Sequence, residues 1–418
     1  MDKDTNKWLL SVPVAFGVES LAAREIRRLG YETHLVEDGR VSYYGDDTAI
    51  CRSNIWLRLA ERVQIKLADF TALSYTELFD GTKALPWTEL LPADAAFPVN
   101  GHCLSSKLGS VPDCQSIIKK AAVESMKSRW KVEKFSETGA LYRINFNIIR
   151  DRVAIYVDTS GDGLHKRGYR EDSALAPLRE TLAAALLELS GWRPGKALWD
   201  PFCGSGTIAI EAAMIAANRA PGLTRGFSSE DWPLFSADPS ADNRHTSATG
   251  FRRMAADTFR KLFDAERAAA KAEYEKALAG ATAGAAAIAV AGSDISRQCV
   301  TAARQNAKMA GVTPFVRFFQ TDAKDMSKNH TGLPPLNVKF PERGCVVANP
   351  PYGERQGDLA EAIEICREWA PALAGFQDWA WCVISALDDF ERVVGRKATK
   401  RRKLNNGKIK CQAYMYFP

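Results

Sequence analysis

The feature that most constrains this chain is a change of rhythm at Pro177, beyond which short apolar strands alternate with helices. Ala197-Leu198-Trp199 runs into a Gly-rich turn and the helix Thr207–Ala217. A strand Ala287–Ala291 precedes the helix Ser296–Ala310, and strands Phe315–Phe319 and Gly344–Ala348 come after it. Parallel strands need crossovers, usually helical, so the alternation predicts an α/β domain on a mostly parallel, doubly wound sheet. An insertion, 219–286, separates the first helix from the second strand. Its Ala-, Lys-, Glu- and Arg-rich middle, Phe251–Leu278, predicts a helix. Asn406-Gly407 between alternating segments predicts a closing hairpin, an antiparallel edge on the parallel sheet.

At ~150 residues per domain, 418 residues leave room for one or two further domains before this one. The first, 1–68, reads as a small α+β module with a strand Trp8–Val14, a helix Val18–Leu29 closed by Gly30, and a strand Val41–Tyr44. The second, 69–158 or beginning as early as 46, has a helix ending at Trp130 with Asp113 as its expected cap. The alternating segments Tyr142–Phe146 and Val153–Val157 read as antiparallel strands. A Gly-rich stretch then opens a basic connector, 159–176, and the α/β domain occupies 177–418.

Charge is unevenly spread. The net charge is +6, yet 101–170 alone carries 13 basic against 7 acidic residues, and Arg392–Lys410 holds nine basic residues and no acid. Such zones suit a phosphate backbone, or simply a solvated face. No apolar run reaches the roughly 18 residues of a membrane span, and the charged start, Met1-Asp2-Lys3-Asp4-Thr5, is unlike a signal peptide; the expectation is a cytoplasmic protein without membrane contact. The nine cysteines include no pair two residues apart, so neither a disulfide framework nor a metal cluster is expected.

The chemistry concentrates at strand ends. Asp200-Pro201-Phe202-Cys203-Gly204-Ser205-Gly206-Thr207 follows a strand and opens a helix. A dinucleotide fingerprint would need glycine at Ala209, and no Gly-Lys-Ser/Thr is present, so the loop suits neither pyrophosphate nor triphosphate. Asp294 closes the second strand, where a carboxylate can accept hydrogen bonds from ribose hydroxyls; Asp322 closes the third, near where an adenine amino group would lie. Either acid alone reads more often as a helix cap, but in this order they describe a nucleoside pocket. Asn349-Pro350-Pro351-Tyr352 comes directly after the fourth strand. An aromatic amine is a poor nucleophile because its lone pair is conjugated with the ring. The Asn side-chain oxygen and the first Pro carbonyl can accept both hydrogens of one such amine and orient that lone pair, while Tyr352 stacks on the base. A rigid Pro-Pro turn is the plainer reading of the same four residues.

Together these motifs resemble class I S-adenosylmethionine-dependent methyltransferases acting on planar amino nitrogens. Leu164-His165-Lys166-Arg167-Gly168-Tyr169-Arg170, Ala176-Pro177-Leu178-Arg179-Glu180-Thr181 and the segment from Asn349 to Arg355 narrow the resemblance to the THUMP-domain RNA guanine-N2 methyltransferases, in the 23S rRNA form with a single methyltransferase domain. The resemblance implies a ferredoxin-like module, a THUMP module and a Rossmann-like catalytic domain. It implies S-adenosylmethionine as cofactor, with Asp200, Gly204 and Gly206 around its methionine moiety, Asp294 on the ribose, Asp322 near the adenine, and Pro201, Phe202, Cys203, Ser205, Thr207, Ile295 and Ala323 alongside. Asn349, Pro350, Pro351 and Tyr352 would hold the guanine. Lys107, Lys119 and Lys120 would grip structured RNA, from 23S rRNA or a pre-50S particle, with His165, Lys166, Arg167 and Arg170 along the path to the cleft. A tRNA guanine, a DNA adenine or a glutamine amide would suit the same tetrapeptide, and a non-catalytic assembly factor would share the RNA-binding modules.

Overall fold

A computed structural model describes residues 7–131, 134–170, 178–232, 235–236, 252–253, 256–282, 290–327, 343–353 and 358–418. The first residues of the strand expected from Ala287 lie outside that set, as do Met1–Thr5, Ala176, Pro177 and Arg355. Of the start of the helix expected from Phe251, 251 and 254–255 lie outside it, whereas Arg252–Arg253 form a short strand paired with Phe235–Ser236 instead.

The N-terminal half runs β1 (Trp8–Pro13), α1 (Glu19–Arg28), β2 (Thr33–Glu37), β3 (Arg40–Gly45), α2 (Asp47–Trp56), β4 (Gln64–Thr71), α3 (Tyr75–Lys83), α4 (Trp87–Leu90), β5 (Val99–Leu104), α5 (Val111–Trp130), β6 (Arg143–Ile149) and β7 (Arg152–Asp158). Its strands form one sheet in the order β2-β3-β1-β4-β7-β6-β5. The two expected modules therefore share a sheet, and β4 is the joint: Ile65 pairs with Leu10 of β1 on one edge and with Val157 of β7 on the other. The expected division at 68/69 falls inside this strand. β2 escapes sequence reading because Leu35 and Val36 are exposed on an edge and show no apolar alternation. β6 and β7 turn through Arg150 and Asp151, both at positive φ, the backbone of a tight two-residue hairpin. The cap of α5 is Ser110 rather than Asp113: the Ser110 hydroxyl accepts the Asp113 N–H, and Pro112 fits the first turn, where no N–H is needed.

The C-terminal half runs α6 (Glu180–Ser190), β8 (Ala197–Asp200), α7 (Thr207–Ala216), a small ribbon of β9 (Phe235–Ser236) and β10 (Arg252–Arg253), α8 (Ala256–Thr282), β11 (Val290–Asp294), α9 (Arg297–Met309), β12 (Val316–Gln320), β13 (Gly344–Ala348), α10 (Asp358–Ala374), β14 (Ala380–Ser385), α11 (Phe390–Val393), β15 (Lys400–Asn406) and β16 (Ile409–Tyr416). The sheet order is β12-β11-β8-β13-β14-β16-β15. Pairing is parallel from β12 to β14, and the terminal hairpin adds the expected antiparallel edge. β8 and β13 are buried throughout, as parallel strands covered on both faces must be. The chain leaves β8 outward through β11 and β12, then returns to β13 on the other side of β8. That reversal opens a crevice at the carboxyl ends of the strands.

The halves meet through buried polar contacts. Arg167, expected on the RNA path, is instead 3% exposed: its Nε lies 3.3 Å from Glu211 Oε1 on α7, Nη1 donates to Leu164 O and Nη2 to Arg58 O. A guanidinium needs a partner once out of water, and Glu211, wholly buried, is that partner. The 219–286 insertion braces the same junction. Arg52 of α2 makes a bidentate pair with Glu266 of α8, Gly222 N–H donates to Ile55 O, and the Trp232 ring stacks on Tyr142 at 4.4 Å. Arg167→Met should strand the Glu211 charge and cost about 3–5 kcal/mol in urea unfolding, whereas Arg167→Met with Glu211→Leu should recover most of it. A single variant as stable as the parent would show that the pair does not hold the halves together.

Candidate functional site

A cavity of about 920 Å³ opens at the carboxyl ends of β8, β11, β12 and β13, within the range of small-molecule sites. Asp200, Pro201, Phe202, Cys203, Gly204, Ser205, Thr207, Asp294, Ile295, Asp322, Ala323, Asn349, Pro350, Pro351 and Tyr352 all line it. Gly206 does not: it precedes α7 at φ +91°, and a Cβ there would lie 2.9 Å from Ala303 Cβ, so its role is packing.

Gly204 sits at φ +51° with open space where a Cβ would be, and its N–H donates to Asp294 Oδ2 at 3.0 Å. Asp294 Oδ1 meanwhile accepts the Ser296 N–H at 2.9 Å, at the start of α9. Asp322 caps its own short turn, accepting the Lys324 N–H, and its Oδ2 lies 3.4 Å from Lys324 Nζ. Both acids therefore cap and line the cavity at once. Asp200 is buried and accepts the Phe202 N–H. Burial pushes its carboxyl well above the usual carboxylate range; the Phe202 N–H opposes this and the Asp294 charge adds to it. Burial likewise pushes the Cys203 thiol up, away from thiolate chemistry.

Two buried polar atoms of the cavity, Ser205 Oγ and Asn349 Oδ1, have no hydrogen-bond partner among the described residues. Leaving such an atom unpaired costs on the order of 1–3 kcal/mol, and functional sites are where native proteins tolerate it. Tyr352, nearly buried, accepts a hydrogen bond at Oη from Asn406 Nδ2 at 2.6 Å. Asn406 is a residue that sequence reading missed. The Asn-Gly pair marked the hairpin, but its tip reaches the cavity only through the pairing of β14 with β16, where Ser385 stands opposite Gln412. Glu361, Ile365 and Glu368 of α10 also line the cavity and carried no motif.

The expected RNA contacts divide. Lys107, Lys120 and Lys166 are exposed. Lys119 is half-buried, 2.8 Å from Glu137 and over the Phe97 ring. His165 Nδ1 lies 3.3 Å from Glu61. Arg170 turns inward, donating to Thr207 Oγ1 with Glu180 3.3 Å away, so it supports the Gly-rich loop from behind. Among the described residues no group of three or more His, Cys, Asp or Glu side chains is placed to hold a metal ion, and no helix is long and apolar enough to cross a membrane.

Residues 167–415 match the RMKL-like methyltransferase domain, 10–64 the RlmL ferredoxin-like domain, and 73–158 the THUMP domain. The Bacillus subtilis (strain 168) protein named "Putative RNA methyltransferase YpsC" is 40% identical over 98% of this chain and 96% of its own length. The ribosomal RNA large subunit methyltransferase K/L of Psychromonas ingrahamii is 32% identical over 96% of this chain, which spans only 49% of that longer protein. Among solved structures, SMU.472 in complex with S-adenosylhomocysteine superposes with a TM-score of 0.81 at 32% identity, covering 99% of this chain and 98% of that one. Asp294→Ala removes the acceptor of two backbone N–H groups that shape the loop, and each hydrogen bond to a charged group contributes about 1.5–3 kcal/mol. S-adenosylhomocysteine binding measured by calorimetry should weaken by about tenfold or more; unchanged affinity would remove Asp294 from the cofactor site.

Proposed function

The chain belongs to the RMKL-like methyltransferase family, and on that premise we propose that this S-adenosylmethionine-dependent RNA methyltransferase acts on the exocyclic N2 of a guanosine in 23S rRNA. The observation that carries the reading is the buried Asn349 Oδ1, without a hydrogen-bond partner among the described residues, on a residue that lines the cavity directly after β13. An acceptor kept free of protein donors suits a ligand donor, and guanine N2 presents two.

The residues present fit the cofactor: Gly204 leaves open space for it, Ser205 Oγ awaits a partner, and Asp294 and Asp322 offer carboxylate oxygens at successive strand ends. When bound, S-adenosylmethionine supplies an electrophilic methyl group. Asn349 Oδ1 accepts one amine hydrogen and the Pro350 carbonyl the other, which draws the nitrogen lone pair out of conjugation and fixes its direction. Pro350 and Pro351 hold this backbone at fixed φ, so the two acceptors are pre-set. Tyr352, its hydroxyl anchored by Asn406, presents a ring for the base to stack on. A general base of shifted pKa is unnecessary, because the alkylated nitrogen sheds its proton readily.

Guanine N2 lies in the duplex minor groove, out of reach of a recessed cavity, so the base is flipped or unpaired when it enters. The THUMP match over 73–158 supports an RNA substrate, and the K/L relative's name supports the large ribosomal subunit.

Nucleoside mass spectrometry of fractionated rRNA and tRNA from a strain lacking the protein should show N2-methylguanosine lost from one 23S rRNA fragment. Loss confined to tRNA would move the substrate and keep the chemistry. Asn349→Ala should cut methyl transfer by about 10²–10³-fold, the scale of removing one preorganised hydrogen-bonding group at a reacting centre, with S-adenosylhomocysteine affinity unchanged. An Asn349→Ala protein that still rescues the deletion would favour an assembly factor.

A further inference from the structure

The cations of the second basic zone of the sequence have no place in the site described so far. Of its nine cations, Arg392 pairs with Asp389, Arg401 lies 3.6 Å from Glu391, and Arg396 lies over the Trp381 and Tyr416 rings. The other six, Lys397, Lys400, Arg402, Lys403, Lys408 and Lys410, are exposed, and none has a carboxylate partner among the described residues. Lysines on an edge strand discourage sheet-to-sheet pairing, which accounts for charge on β15 but not for Lys408 and Lys410 at the turn and on β16.

Position accounts for the rest. The tip of the hairpin enters the cavity, where Asn406 holds the Tyr352 hydroxyl. Its middle abuts the N-terminal half so closely that a Cβ on Gly17 would lie 2.4 Å from the Lys403 carbonyl oxygen. Beside that contact the Phe16 ring is 49% exposed. From Lys400 to Asn406 a strand covers roughly 20 Å. The hairpin therefore carries exposed cations from beside the ferredoxin-like module to the mouth of the pocket, with an aromatic ring at the junction.

We propose that the β15–β16 hairpin guides the target RNA strand into the pocket, its unpaired lysines and Arg402 holding phosphates while Asn406, as a positioning residue, sets Tyr352 to receive the base. The proposal rests on the reading that the chain methylates RNA. Clustered unpaired cations release condensed counterions on binding a polyanion, and exposed aromatic rings stack bases without regard to sequence. The edge thus supplies affinity and direction, and the choice of base stays with Asn349.

The test uses the full chain and rRNA stripped from a strain lacking the protein. In Lys400→Gln/Lys403→Gln/Lys408→Gln, the slope of log Kd against log salt should fall by about 2–3, or 0.7–0.9 per lost contact. KM for that rRNA should rise about tenfold with kcat and S-adenosylhomocysteine affinity unchanged. Lys271→Gln/Lys276→Gln, equally exposed on α8, should leave slope and KM as they are. Asn406→Ala should show the opposite split, with kcat down about tenfold and the salt slope intact. A hairpin variant with the parental slope and KM, an α8 variant that loses as much, or an Asn406→Ala protein with parental kcat would overturn the proposal. The slope is read on binding alone, so a methyl group found on another atom of the RNA would overturn the guanine-N2 reading and not this one.

Discussion

Among the contacts that join the two halves of this protein, the buried Arg167–Glu211 ion pair ties the connector to the helix that opens behind the pocket. Glu211 lies on α7, four residues beyond the Gly-rich loop, and Arg167 comes from the connector after β7. The guanidinium also binds the carbonyls of Leu164 and Arg58, so one side chain ties connector, N-terminal sheet and cofactor-side helix together. Buried pairs of this kind add little net stability, because desolvation offsets the attraction; their strength lies in punishing any arrangement that separates them. Three residues on, Arg170 applies the same logic to Thr207 at the start of α7. The connector is basic in sequence, yet these two arginines face inward and fix geometry.

That geometry matters because the chemistry is a matter of placement. Class I pockets form where the chain reverses direction across a parallel sheet, and here the reversal between β8 and β13 sets the Gly-rich loop beside Asn349. The acids lining the crevice also hold the loop that shapes it. Asp294 accepts N–H groups from Gly204 and Ser296, and Asp322 closes its own turn, so capping a turn and lining the crevice coexist in one carboxylate. A carboxylate has lone pairs enough for both.

The N-terminal half is more unified than its sequence suggests. Two segments that match separate domain families share seven strands through β4, whose two edges pair with β1 and β7. A continuous sheet transmits orientation rigidly. Together with the insertion's contacts at Ile55 and Glu266, it carries the THUMP module at a set distance from the pocket.

The alternation of strands and helices along the α/β domain, the Gly-rich turn, the acids at successive strand ends and Asn349–Tyr352 were all legible in the sequence. Each depends on local spacing: apolar period, turn residues, and the residue types at a strand's carboxyl end. The terminal hairpin was legible for the same reason, from Asn406-Gly407. Exposed edges such as β2 were not, since a strand without a buried face leaves no alternation. Nor were Asn406 beside Tyr352, Arg167 against Glu211, or the shared sheet. These are partnerships between residues dozens of positions apart in the chain. A side chain's charge and shape are written in the sequence, but whether it meets water, RNA or a buried carboxylate depends on what the folded chain brings opposite it.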